Sequence, residues 1–190
     1  MSDKSSETSE GASADEPGCP GELLVTLDAE DDEPPDLPWL QRMLERVINR
    51  LDLDSAELSI VIVDDETMME FNDRFKQRRG TTDVLAFDMA DEPAEAGALR
   101  SGVEGEVYVC LPEARRQAER RGHPPDHELL LYMTHGLLHL VGYDDADPEQ
   151  YQRMHEKEDE LLQGLDVGPV FRRSGTDPEE ESHVNGDLER

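Results

Sequence analysis

His135 and His139 stand four residues apart within the most apolar run of the chain, Leu129 to Val141, and Gly142, Tyr143, Asp144 and Asp145 follow it. Positions i and i+4 of a helix share one face, with Cβ atoms roughly 5–6 Å apart, so both imidazoles can aim nitrogens at one ion. A glycine just past such a helix is a natural left-handed stop that turns the chain back toward that face. Asp144 or Asp145 then comes within reach as a third ligand. A lone buried histidine is ordinarily satisfied by hydrogen bonds in the core. Two at helical spacing, with a carboxylate behind a turn, point instead to a metal site with open coordination positions. An ion held there would act as a Lewis acid and acidify a bound water. The residue after His135 is Gly136, where the peptide-cleaving His-Glu-x-x-His motif needs its general-base glutamate, and this disfavours that chemistry.

The elements that must position these side chains follow from caps and periodicity. Leu23 to Leu27 reads as a first strand, and Asp28 to Asp36 as an acidic, proline-containing loop. Asp36 can cap a helix with Pro38 in its first turn, and Trp39, Leu40, Met43, Leu44, Val47, Ile48 and Leu51 mark its apolar stripe. Leu58 to Val63 is a β-branched strand, and Asp64 or Asp65 caps a second helix that turns Met68, Met69, Phe71 and Phe75 inward. Strands at Asp83 to Phe87 and Glu106 to Leu111 precede a charged helix from Pro112 to Arg121, stopped at Gly122. The histidine helix starts at Pro124-Pro125-Asp126, and a last helix, capped by Asp147, runs to Leu162. This order predicts one domain over 21–171, a small mixed sheet covered by helices, with acidic tails at 1–20 and 172–190 too polar to order themselves. It does not specify strand order.

Charge narrows the function classes. The chain carries 47 acidic and 18 basic residues, a net of −29, opposite to the broad basic face of a protein that grips phosphate backbones. Segment 37–171 alone holds 29 acids and 14 bases. Basic side chains nevertheless gather at Arg74, Lys76, Arg78 and Arg79, the pattern a local phosphate contact leaves. Four more lie on the helix ending at Arg121, where a salt-bridged solvent face is the default and an RNA-facing surface the alternative. The two cysteines, Cys19 and Cys110, have no disulfide or metal-knuckle spacing, no segment has the apolar length of a membrane span, and Met1 to Glu7 lacks a signal core. These features predict a cytoplasmic protein.

His135-Gly136-Leu137-Leu138-His139-Leu140-Val141-Gly142-Tyr143-Asp144-Asp145 resembles the signature of the YbeY family, metal-dependent endoribonucleases of rRNA maturation, which reads His-Gly-x-Leu-His-Leu-x-Gly-Tyr-Asp-His. The likeness continues through Gly105-Glu106-Val107, Gly122-His123 and Thr82-Asp83-Val84-Leu85, and covers about residues 22 to 163. It implies an α+β fold with a four-stranded mixed sheet, and one Zn2+ per chain held by His135, His139 and Asp145. It also implies a single-strand-preferring endoribonuclease acting on rRNA precursors at the ribosome. Two departures stand out: the family's last histidine is Asp145 here, and the arginine after its Asn-x-x-Tyr aligns with Lys76, the candidate catalytic residue that steadies the scissile phosphate. Neither DNA nor a membrane is expected as a partner; a basic protein is, given the charge. The competing readings are a metal-stabilised ribosome assembly factor with little hydrolysis and a metallohydrolase of a small substrate. His155 is the reserve ligand should three prove incomplete.

Overall fold

The computed structural model describes residues 19–75, 82–91, 98–165 and 167, the side chain of Phe75 apart. Lys76, Arg78 and Arg79, and the segments 1–18 and 168–190 that hold nearly all of the two tails, lie outside the described residues. The elements are β1 (Glu22–Asp28), α1 (Leu37–Arg50), β2 (Ser55–Val63), α2 (Asp65–Phe75), β3 (Val84–Asp88), β4 (Gly102–Cys110), α3 (Leu111–Arg121), α4 (Pro125–Val141) and α5 (Pro148–Gln163). Local signals start the helices where the caps stand. Asp36 Oδ1 accepts the Trp39 N–H at 2.9 Å, Asp64 Oδ1 accepts that of Thr67 at 2.8 Å, and Asp147 Oδ1 accepts those of Glu149 and Gln150.

The sheet runs β1-β2-β4-β3, with β1, β2 and β4 parallel and β3 antiparallel to β4. One face carries Ala56, Leu58, Ile60, Ile62, Val107 and Val109, all buried against α1 and α4. Each leucine withdrawn from water in this core contributes about 2 kcal/mol relative to exposure. The other face has a smaller cluster of Val63, Met68, Leu85 and Cys110 beneath α2. Met69, expected to point inward, is 46% exposed, because a step of one residue turns a side chain about 100° around the helix from Met68. β4 begins earlier than its apolar residues suggest and Leu111 opens α3; the ladder from Ser55↔Gly102 to Val63↔Cys110 sets these limits, not hydrophobicity. Among the described residues no helix is long and apolar enough to cross a membrane.

α4 is buried on nearly every side, and Gly136 is what allows it so close to the sheet. A Cβ at position 136 would collide with the Val107 side chain and come within 3.2 Å of Val84 Cγ2. The position at which the His-Glu-x-x-His motif carries its glutamate is therefore filled here by the sheet itself.

Candidate metal centre

The C-terminal half of α4 presents His135 and His139 one turn apart, each partly exposed among buried leucines. Gly142 takes the left-handed conformation at φ 108°, and the Tyr143 N–H returns to Leu138 O at 2.9 Å. This tight reversal brings Asp145 back to the helix, and one donor atom each of His135, His139 and Asp145 lie within 4.8 Å of one another. Asp144 is spent on the backbone, its Oδ1 accepting the Asp145 N–H at 2.8 Å. The three residues expected to meet do meet.

Hydrogen bonds at the far side of each ring decide what the near side offers. His135 Nδ1 lies 2.6 Å from Glu158 Oε1 and His139 Nδ1 lies 3.2 Å from Tyr143 O, and both partners only accept, so both rings must donate from Nδ1. The two Nε2 atoms then face each other at 3.0 Å. Two neutral imidazoles would direct lone pair at lone pair there, which only a positive particle between them relieves. The separation is close to the roughly 3.3 Å between two nitrogens on one tetrahedral zinc. The donor set thus fits a divalent cation, and in its place a proton can bridge the pair. Burial opposes charging His135, but the Glu158 hydrogen bond and charge, with Asp83 and Asp145, outweigh it and raise the pKa above 6.5. Burial and the charge on His135 lower that of His139.

Glu158 was not singled out by spacing. It is fully buried on α5 and its second oxygen lies 2.5 Å from His155 Nδ1, so desolvation, which would raise its pKa, is overcome by the two histidines and the carboxyl stays below its usual range. The signal available was a carboxylate within the apolar stripe Met154, Leu161 and Leu162. His155 bonds this carboxylate and lies outside the triad. A cleft of about 410 Å³ opens beside His135, lined by Thr82, Asp83, Tyr132, His155 and Glu158 among others. Lys76 is six residues upstream of Thr82 in the chain.

Three of the four arginines of α3 are committed to carboxylates. Arg115 pairs with Asp31 at 2.6 Å, Arg116 with Asp65 and Glu113 at 2.8 Å, and Arg121 with buried Glu128 at 2.7 Å, so the charged face of α3 is largely salt-bridged. His123 and His127 stack at the opposite end of α4, far along the helix from the triad, and His127 also stacks on Trp39 at 5.5 Å.

Fold and site together define a class: a small α+β protein whose most buried helix, with the turn after it, carries a His, His, carboxylate cluster able to hold one metal ion. Comparison with known proteins narrows this. The family model described as Endoribonuclease YbeY matches residues 29–166. The Endoribonuclease YbeY of Thermobifida fusca is 39% identical over 145 residues, covering 75% of this chain and 94% of that protein. The one of Salinibacter ruber is 36% identical over 154 residues, covering 79% and 98%. The chain belongs to the YbeY endoribonuclease family. The solution structure of TM1509 from Thermotoga maritima shares the fold, with a TM-score of 0.51 at 23% identity, over 82% of this chain and all of that one.

Proposed function

We propose that this chain is a zinc-dependent endoribonuclease that cuts single-stranded segments of rRNA precursors during ribosome maturation, in the cytoplasm, with one zinc held by His135, His139 and Asp145. The observation that carries the metal reading is the pair of Nε2 atoms at 3.0 Å whose Nδ1 atoms are both committed to acceptors. The family carries the RNA reading. A divalent ion at this site supplies a Lewis acid for the scissile phosphodiester and an activated water. The residues of the chain do the rest. Glu158 and the Tyr143 carbonyl hold the two rings, Asp145 would add a negative charge that makes a bound ion a weaker Lewis acid than a third imidazole would, and the cleft beside His135 is the space an unpaired nucleotide would take. Lys76, tethered close upstream of Thr82, is assigned to steadying the scissile phosphate as a point charge, with less geometric definition than an arginine fork.

The deciding experiment is elemental analysis of the purified protein beside His139→Ala, with a single-stranded RNA cleavage assay on both. One zinc per chain that disappears in the variant together with cleavage supports the nuclease; retained cleavage without metal rejects it. The net charge of −29 and the salt-bridged arginines of α3 favour a second reading, a ribosome assembly factor that meets a basic protein and hydrolyses little. Lys76→Ala separates the two: lost cleavage with RNA binding retained speaks for catalysis, and unchanged cleavage with weakened ribosome association speaks for the assembly role.

A further inference from the structure

The apolar stripe of α5 is interrupted by one fully buried carboxylate, where Met154, Leu161 and Leu162 would accommodate another aliphatic side chain. A carboxylate is costly to bury unless its lone pairs are met, and those of Glu158 are met in an unusual way: each oxygen takes a different histidine, Oε1 with His135 Nδ1 at 2.6 Å and Oε2 with His155 Nδ1 at 2.5 Å. We propose that Glu158 is a positioning residue of the metal centre, holding His135 in its Nδ1–H form with Nε2 aimed at the ion and, through its other oxygen, fixing His155 in the wall of the same cleft.

The inference rests on the metal reading above and concerns the half of the support that a side-chain substitution can reach. His139 is oriented by a backbone carbonyl, Tyr143 O, which no point mutation removes. His135 is oriented by Glu158 alone among its hydrogen bonds to acceptors in the described residues. An ionised carboxylate accepts and never donates, so while Glu158 faces Nδ1 the proton of the neutral ring stays on that nitrogen and the Nε2 lone pair is kept for the ion. His155 shares the anchor: its ring lies 6.1 Å from that of His135 at an interplanar angle of 28°, and the edge of Tyr151 packs on it at 4.1 Å. The carboxylate thereby ties α5 to the ligand-bearing turn of α4.

The test is titration of the metal-free full-length protein with Co2+, reading affinity and the visible d–d bands, for wild type, Glu158→Gln, Glu158→Leu and His155→Ala. Leucine suits the surrounding stripe but offers no acceptor, and its cobalt affinity should fall about 10–100-fold, with broadened or shifted bands. Glutamine keeps one acceptor oxygen and should fall between wild type and leucine; His155→Ala, which leaves the His135 bond in place, should lose less than leucine. A purely structural role would lower the melting temperature of the metal-free protein and leave affinity and spectrum alone. Glu158→Leu that binds Co2+ within twofold of wild type with the same bands overturns the inference while leaving the metal centre standing. Should the leucine variant fail to fold, equal affinity of Glu158→Gln and wild type overturns it equally. Wild-type protein that takes up no Co2+ overturns the metal reading and this inference together.

Discussion

α4 has a fully buried glutamate against each end, and the two behave oppositely. Glu128, in its own first turn, is 2.7 Å from Arg121 Nη1 and 3.0 Å from His123 Nε2, yet burial prevails and raises its pKa above 4.5. Glu158, contributed by α5 at the other end, is as deeply buried, and its histidines carry its pKa below 4.5. The difference lies in donor geometry. Both oxygens of Glu158 receive short hydrogen bonds, whereas Oε2 of Glu128 lies near His123 without a hydrogen bond between them. Burial sets what a charge costs, and the placement of donors decides whether the site keeps it. The Glu128 end reads as a brace between α3 and α4, and the Glu158 end as the support of a metal centre.

The sharpest way to separate the ends is to break one ligand. His139→Ala should weaken metal binding at least about 100-fold and abolish RNA cleavage, while the metal-free protein melts near the wild-type temperature; this is measured by metal titration and calorimetry. Asp145→Ala should cost about tenfold in metal affinity, since this carboxylate is exposed, and Asp144→Ala should leave it unchanged. Equal losses in the two aspartate variants would mean that the turn, not one carboxylate, supports the ion.

At the other end, Glu128→Ala should lower stability by about 2 kcal/mol in denaturant unfolding, leaving Arg121 to find water and a small cavity behind it, with metal affinity within twofold of wild type. Parallel loss of metal affinity would show that the two ends form one unit.

The smallest effect is a pH signature of the metal-free protein. The depressed carboxyl of Glu158 contributes stability that is present above about pH 4.5 and lost as pH falls through its folded value. The raised imidazole of His135 contributes stability that is full below about pH 6.5 and lost as pH rises through its folded value. The pair therefore supports the fold most between those limits, and Glu158→Gln should lower the melting temperature there and flatten the falls on either side. Glu128, raised, contributes in the opposite sense, its share declining as pH climbs above 4.5, so Glu128→Gln should remove that decline and leave the fall below pH 4.5 due to Glu158 in place.

Much of the fold was legible along the chain because its signals are local. Asp36 and Asp147 cap helices by bonding N–H groups two or three residues on, and Gly142 stops α4 through its own backbone angle. The order of nine elements follows from such signals together with apolar periodicity. Met69 misled because an apolar side chain one step off the buried stripe carries no mark of its exposure. At the site, His135, His139 and Asp145 belong to one helix and its terminal turn, within eleven residues, so spacing brought the two histidines together with an aspartate, and the family resemblance chose Asp145 over Asp144.

What the amino-acid sequence determined by itself is whatever is built within a turn or two of helix: the caps, the histidine pair, the reversal at Gly142 and the return of an aspartate. The tertiary structure alone decided the β1-β2-β4-β3 order, the antiparallel edge strand, the need for Gly136 beneath the sheet, and the meeting of Glu158 with His135 across 23 residues. The physical reason is range. Hydrogen bonds inside a turn are dictated by neighbours in the chain, whereas the protonation and aim of a buried side chain depend on which distant element packing brings against it.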